Sequence, residues 1–257
     1  MSEPQLTRRV VAEAVGTALL VLVGTGSVIA ALHVGRGQIT YAGLGFISLT
    51  FGIVVAVVVY GFGPVSGAHI NPAVTVALAA TRRFPWKEVA PYLAAQIVGA
   101  LAGSLLVVGT YGRSAVDLGL GATTLGANAS YGQGLLAEAL GTFFLVFAIM
   151  ALAVDSRAPL GWAGLMIGLA VAGAILLIGP QTGGSLNPAR TTGPFVVMSL
   201  FGGSTPWSQL ALYWLGPLVG GSAAAVVYDL IAQTRAAEQP AVEDSYTPAP
   251  SQERNAP

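Results

Sequence analysis

Residues 66–73 read Ser66-Gly67-Ala68-His69-Ile70-Asn71-Pro72-Ala73, and residues 183–190 read Gly183-Gly184-Ser185-Leu186-Asn187-Pro188-Ala189-Arg190. In both, a glycine-bearing turn runs into Asn-Pro-Ala and then into an apolar stretch, over about 71–81 and 187–199. Proline suits the first position of a helix, and asparagine before it is a capping residue. Each stretch is too short to cross about 30 Å of hydrocarbon, so each reads as a re-entrant or buried half-helix.

Working outward, six longer apolar stretches flank these two, at roughly 10–32, 40–61, 89–110, 134–154, 161–179 and 208–231. Each is long enough to span a bilayer as a helix. Composition agrees, with 54% of the 257 residues apolar and only 9% charged, where an ordinary soluble domain is about a quarter charged. The 34 glycines are dispersed among Val, Leu and Ala, as suits close helix–helix approach in lipid. The expected fold is therefore an all-α membrane protein of six transmembrane helices plus two re-entrant half-helices.

The chain also repeats itself. Ala12-Glu13-Ala14-Val15-Gly16-Thr17 recurs as Ala137-Glu138-Ala139-Leu140-Gly141-Thr142, Asn71-Pro72-Ala73 recurs as Asn187-Pro188-Ala189, and Gln96-Ile97-Val98-Gly99 is echoed by Pro217-Leu218-Val219-Gly220. Three matches in one order divide the region 10–232 into repeat one, about 10–110, and repeat two, about 134–231. Three spans per repeat is odd, so the two repeats lie in the membrane with opposite orientation. Their half-helices then enter from opposite faces and meet near the midplane, the architecture of transport pathways.

Charge sets the orientation. Arg8, Arg9, Arg82, Arg83, Lys87, Arg157, Arg235 and Arg254 fall on one side, against Arg36 and Arg113 on the other, so both termini, including residues 1–9, are expected to be cytoplasmic in a multi-pass protein of the cell membrane. Arg8 and Arg9 before the first span suggest a signal peptide, but that span is too long and carries Glu13, so it reads as retained. The tail, 233–257, is rich in Pro, Glu, Ala and Ser and is expected to be disordered. A net charge of zero gives no electrostatic case for nucleic acid. The absence of cysteine excludes disulfides, thiolate catalysis and thiolate metal sites. No metal or other cofactor is implied.

Two half-helix N-termini at mid-membrane would place two positive dipole ends at one point, a barrier to cations including hydronium. Asn71 and Asn187 would cap these ends and offer side-chain amide donors to a passing oxygen. The non-helical stretches before each box need a watery cavity for their carbonyls. Gly67, Ala68 and His69, with Gly183, Gly184 and Ser185, are therefore expected to form a ladder of acceptors. His69 reads as a structural residue contributing its carbonyl, with a proton donor or pH sensor as the rarer reading. Glu13 and Glu138 are costly inside lipid, roughly 2.5–3.5 kcal/mol each on insertion scales. The unpaired N–H groups of the re-entrant turns would give both a reason to be there. Asp229, at the end of the last span, reads as a snorkelling interfacial residue.

The paired boxes, the Ala-Glu-Ala-x-Gly-Thr repeats and the order of spans resemble the aquaporin, or major intrinsic protein, family over roughly residues 8–232. The resemblance implies a channel for water and small neutral solutes, a homotetramer with one pore per subunit, and glutamates that brace the re-entrant turns. It places Arg190 in the narrowest constriction, with Phe51, Ile175 and Gly184 at the other filter positions. Here the chain departs from the strict water-channel pattern, which has His where this one has Ile175 and Cys or Thr where it has Gly184. It lacks the Asp that follows the Arg in glycerol channels, carrying Thr191, and its Tyr213-Trp214 is similar to the water-channel subgroup. The expected solute is thus water first, with ammonia, hydrogen peroxide, urea or glycerol as alternatives.

Other classes fit less well. An enzyme would need a nucleophile–base pair, a carboxylate dyad or a metal cluster. An ion-coupled transporter would need Glu13 and Glu138 to face the pathway. A cation channel would call for an acidic ring or carbonyl filter rather than Arg190.

Overall fold

The computed structural model describes residues 4–237, with side chains through residue 232. Six helices are long and apolar enough to cross a membrane. In repeat one, α1 is Leu6–Val34, α2 Tyr41–Ser66, the half-helix α3 Pro72–Ala80, and α4 Trp86–Tyr111. A short α5, Arg113–Asp117, and a single tight turn at Gly119–Gly121 lead across to repeat two. There α6 is Tyr131–Ile149, α7 Ala163–Thr182, the half-helix α8 Pro188–Leu200, and α9 Leu210–Ala237.

Several spans outrun their sequence boundaries. Pro64 and Pro180 do not stop α2 and α7, since prolines are tolerated in membrane helices whose freed backbone groups are satisfied nearby. The stops are Gly67 and Gly183, at φ 85° and 77°, a left-handed cap that glycine adopts without a Cβ penalty. At the far end, α9 continues through 233–237, where a disordered tail is expected. The remainder of that expectation, 238–257, lies outside the described residues. Between the repeats, α5 and the turn after it pack Ala115, Val116 and Leu120 into a cluster with Ile29 and Met198.

Packing follows from where the small residues fall. Gly99 and Gly103 press α4 onto the backbone of α1, and Gly220 presses α9 onto α6, so closely that a Cβ at any of the three would overlap the neighbouring carbonyl. Close backbone approach of this kind substitutes for hydrophobic drive, which is absent between helices in lipid. The two repeats join at the centre through α2 and α7 and through α3 with α9 and α8 with α4. Outward, α1 presents Val11, Val15, Leu19 and Val23 at four-residue spacing, each 37–55% exposed. Its other face buries Glu13, Thr17 and Leu20. Polar side chains inside and aliphatic ones outside is the inverse of a water-soluble domain, and it suits lipid as solvent.

At the rim, Asp229 is not a lone interfacial acid. Its two carboxylate oxygens accept from Nη1 and Nη2 of Arg83. Close by, Asp155, whose carboxylate accepts from the Tyr228 hydroxyl at 2.6 Å, follows a widened turn at Met150–Val154, closed by the Asp155 N–H donating to the Met150 carbonyl at 3.0 Å.

Candidate functional site: a mid-membrane pore

The two boxes meet. Asn71 sits before α3 in extended conformation and its Oδ1 accepts from the Ala73 N–H at 2.8 Å. Asn187 does the same for Ala189 at 2.9 Å and Arg190 at 3.2 Å. Each amide nitrogen then crosses to the other repeat: Asn71 Nδ2 donates to the Leu186 carbonyl and Asn187 Nδ2 to the Ile70 carbonyl, both at 2.8 Å. One of the two protons on each amide is thus used to tie the half-helix ends together, and one remains for another acceptor. The amides expected as donors for a passing oxygen are thus partly engaged by the protein itself.

The turns before the boxes are held in unusual backbone. Ala68, Ile70 and Leu186 have φ of 48°, 44° and 58°, a region that costs a non-glycine residue about 1–3 kcal/mol. The two glutamates hold them there. Glu13 accepts from the N–H of His69 (Oε1, 2.9 Å) and of Ile70 (Oε2, 2.6 Å). Glu138 accepts from Ser185 (Oε1, 2.9 Å) and Leu186 (Oε2, 2.8 Å). Both carboxylates are completely buried, and neither borders the cavities described below.

Several residues that hold these turns were not expected from sequence. Ser66 Oγ and Gln96 Nε2 each donate to Glu13 at 2.8 Å, and Gln96 Nε2 also lies 3.0 Å from Thr75 Oγ1. Tyr92 and Tyr213 donate to the carbonyls of Ser66 and Thr182, each at 2.8 Å. The His69 ring is held in place: its Nδ1 is 3.1 Å from Thr75 Oγ1 and the ring packs edge-on against Phe84. In repeat two the matching Ser185 reaches Thr191 at 2.6 Å, and Thr123 also bonds Thr191 at 2.8 Å.

Two cavities abut at these groups. A narrow one of about 80 Å³ runs past Asn71 and Asn187 and is bordered by Gly67, Ala68, His69 and Ser185, with aliphatic side chains opposite. A wider vestibule of about 510 Å³ is bordered by Gly183 and by Thr40, Tyr41 and Gly121 among others. Ile175 and Arg190 border both, marking the junction. At the junction the Arg190 guanidinium carbon lies 5.0 Å from the Phe51 ring centroid, within cation–π range. Arg190 Nη1 donates to the Gly121 carbonyl at 2.8 Å. The residue is therefore a tether as well as a wall, only 2% exposed. Gly184, at φ 62°, borders neither cavity directly but backs onto Ile175, where a Cβ would stand 3.2 Å from two Ile175 carbons. Phe51, Ile175, Gly184 and Arg190, far apart in the chain, are thus brought together.

A pair of Asn-Pro-Ala half-helices tied end to end inside a six-helix inverted repeat is a specific arrangement, and the sequence matches the model of one family, major intrinsic protein, over residues 1–228. The chain belongs to the major intrinsic protein family. Similar members include a probable aquaporin, AqpM, of Archaeoglobus fulgidus, 46% identical over 242 residues that cover 89% of this chain and 98% of the relative. Aquaporin AqpM of Methanothermobacter marburgensis is 43% identical, covering 88% and 98%. Aquaporin TIP4-4 of Zea mays is 39% identical, covering 95% and 94%. Among solved structures, the aquaglyceroporin of Plasmodium falciparum superposes with a TM-score of 0.78 over 90% of this chain and 98% of that one, at 23% identity. That likeness establishes the aquaporin fold. Members of this major intrinsic protein family are membrane channels rather than enzymes.

Proposed function

We propose that this protein is a passive channel that conducts water first and other small neutral solutes second, down an osmotic or concentration gradient, and excludes ions and protons. The observation that carries this reading is the crossed pair of asparagine amides at the junction of two half-helix N-termini, beside a narrow cavity of about 80 Å³. The positive ends of α3 and α8 converge there. A water accepting from the remaining amide protons is held with its own hydrogens pointing away, so a proton wire through it is broken. Arg190 adds a fixed positive charge at the outer junction, as is general for aquaporin-type pores.

In this reading Asn71, Pro72, Ala73, Asn187, Pro188 and Ala189 form the central barrier, and Phe51, Ile175, Gly184 and Arg190 the filter. The carbonyls of Gly67, Ala68, His69, Gly183 and Ser185 are the ladder of acceptors, and Glu13 and Glu138 brace the ladder from behind. Both termini face the cytoplasm, four copies assemble with one pore each, and neither enzymatic chemistry nor a cofactor is involved. Glycerol, urea, hydrogen peroxide and ammonia are secondary solutes, favoured by one observation: Ile175 and Gly184 leave the filter with an aliphatic wall and no donor apart from Arg190.

Stopped-flow shrinkage of proteoliposomes tests the proposal. Sucrose should shrink them much faster than protein-free vesicles, and reswelling in glycerol or urea should be slower than the water step. Flux that depends on a sodium or proton gradient, or that saturates at low solute concentration, would point to an ion-coupled transporter instead.

A further inference from the structure

The inverted repeat relates the pore walls as well as the boxes. At one constant offset, Ser66 pairs with Thr182, Gly67 with Gly183 and Asn71 with Asn187, and the same register carries α2 onto α7 without a gap. Packing at the centre verifies it. Gly52 and Gly168 are partners in this register and rest against one another: a Cβ on Gly52 would meet the Gly168 carbonyl oxygen at 2.7 Å and the Ala172 Cβ at 3.1 Å. A Cβ on Gly168 would meet the Gly52 carbonyl and the Ala56 Cβ. Ala56 and Ala172 are partners too. The two-fold relation therefore passes through this contact.

Carried along that register, the four outer filter positions have four inner counterparts. Phe51 corresponds to Ile167, Ile175 to Val59, Gly184 to Ala68 and Arg190 to Val74. All four counterparts border the narrow cavity. On α1 and α6, where Glu13 corresponds to Glu138, Gly24 falls opposite Ile149. A Cβ at Gly24 would overlap the Phe51 ring, so the outer half takes its bulk from α2 and none from α1. In the inner half Ile149 and Ile167 both border the cavity, so bulk comes from both helices and charge from neither.

We infer that the pore carries a second selecting ring, on the inner side of the paired asparagines, formed by Val59, Ala68, Val74 and Ile167 together with Ile149. It rests on the channel reading above and adds to it a site that selects by size and by polarity without any charged or hydrogen-bonding side chain. The entire narrow cavity, outer junction included, is about 80 Å³, against about 510 Å³ for the vestibule. Passing molecules must shed neighbours here, and on the aliphatic side nothing replaces them. Only the backbone carbonyls of the Gly67–His69 turn remain as partners. Such a ring is a dewetting barrier to water. It costs less to small neutral solutes with few hydrogen-bonding groups than to polyhydroxylated ones of the same size, since those must strip more bonds. The protein would thus filter twice, once against charge and once against hydration.

Two substitutions separate this from a merely structural wall. Val59→Thr conserves volume and adds a hydroxyl to the ring, and it should raise water permeability about two- to fivefold, up to the worth of one net hydrogen bond at the barrier. Ile167→Phe installs the ring that Phe51 provides outside, and it should lower glycerol flux by about tenfold, the low end of the discrimination an apolar pocket makes for an ill-fitting group. Leu169→Phe, on the same helix but 46% exposed on the outer surface, should change neither. The measurement is stopped-flow water and glycerol permeability of proteoliposomes with matched protein content. If the unmodified protein conducts no faster than empty vesicles, the channel reading fails first. If it conducts but Val59→Thr and Ile167→Phe both match it, or Leu169→Phe loses as much flux as Ile167→Phe, the inner ring is refuted.

Discussion

Replacing Glu13 with glutamine tests how the re-entrant turn is held. Each oxygen of Glu13 accepts two bonds: Oε1 from Ser66 Oγ and the His69 N–H, Oε2 from the Ile70 N–H and Gln96 Nε2. A glutamine amide keeps one oxygen and turns the other into a donor that faces two donors. Ser66 and Gln96 can rotate away, but one backbone N–H, His69 or Ile70, is left unpaired in either amide orientation. A buried donor without an acceptor costs about 1–3 kcal/mol, so Glu13→Gln should cost at least that and up to about twice it if the side chains cannot adapt. The loss is compounded because the freed segment contains Ile70 in left-handed backbone, a conformation that relaxes once its N–H is released.

Relaxation at Ile70 moves the carbonyl that Asn187 Nδ2 holds, so the damage reaches the second repeat. Thermal unfolding followed by circular dichroism in detergent should show Glu13→Gln several degrees below the unmodified protein. Proteoliposomes should lose most of their water permeability. The coupling is read by a double-mutant cycle with Asn187→Ser, which keeps a capping oxygen but deletes the crossing amide. The two changes should be markedly less than additive, because each frees the same carbonyl. Unchanged melting and permeability in Glu13→Gln would refute the bracing account, and strict additivity with Asn187→Ser would refute the transmission through Ile70.

Gly184→Ala adds a Cβ that stands 3.2 Å from two carbons of Ile175. Ala68 tolerates similar backbone in the matching position of repeat one, so the variant should fold while glycerol flux falls more than water flux in proteoliposomes; equal flux for both solutes would contradict the filter map. Arg190→Ala removes the fixed charge and its tether to Gly121, and urea and glycerol permeability should rise relative to water. Asp155 is held well below the usual carboxylate range, first by the Arg157 side chain and then by the Tyr228 hydroxyl. A depressed carboxylate contributes stability above its unfolded pKa of about 4 and loses it only as the pH falls through the lower folded value. Water permeability should therefore be flat from pH 8 to pH 5 as far as this turn is concerned, and a step in that window abolished by Asp155→Asn would refute it. Mercuric salts should not block conduction by a thiol route, since the chain has no cysteine; inhibition reversed by a thiol reagent would count against the pore as drawn.

The large features were legible because they repeat or are periodic. Two boxes, two glutamates at matched positions and six apolar runs sufficed for the membrane helices and for the meeting of Asn71 with Asn187. The partners of the glutamates were not legible, since Gln96 lies 83 residues from Glu13 and no local pattern links them. A signal was available for the tyrosines: aligning Gln96-Ile97-Val98-Gly99 with Pro217-Leu218-Val219-Gly220 also aligns Tyr92 with Tyr213, and both hold the carbonyl that begins a turn. The same alignment sets Gln96 against Pro217, so this brace has no counterpart in repeat two, where Thr123 bonds Thr191 instead. The Gly121 carbonyl that anchors Arg190 was out of reach because it depends on Leu120 at φ 50° and on how a connector folds over the vestibule. Helix ends were misjudged because the apolar runs give out near 61 and 179, whereas the helices continue to Ser66 and Thr182, where left-handed glycines stop them.

A symmetric frame with asymmetric lining explains how one fold can filter in series. The backbone of the two halves is matched down to left-handed residues at Gly67 and Gly183, Ala68 and Gly184, Ile70 and Leu186, so the carbonyls and helix ends are duplicated. What differs is the side chain placed on each half: arginine against valine at 190 and 74, glycine against isoleucine at 24 and 149. A buried arginine is costly unless its charge is met, and here Phe51 and the Gly121 carbonyl meet it on one side of the membrane only. Val74 needs no such support. One half can therefore be specialised against charge while the other remains aliphatic, and neither requires a change to the helices that carry it.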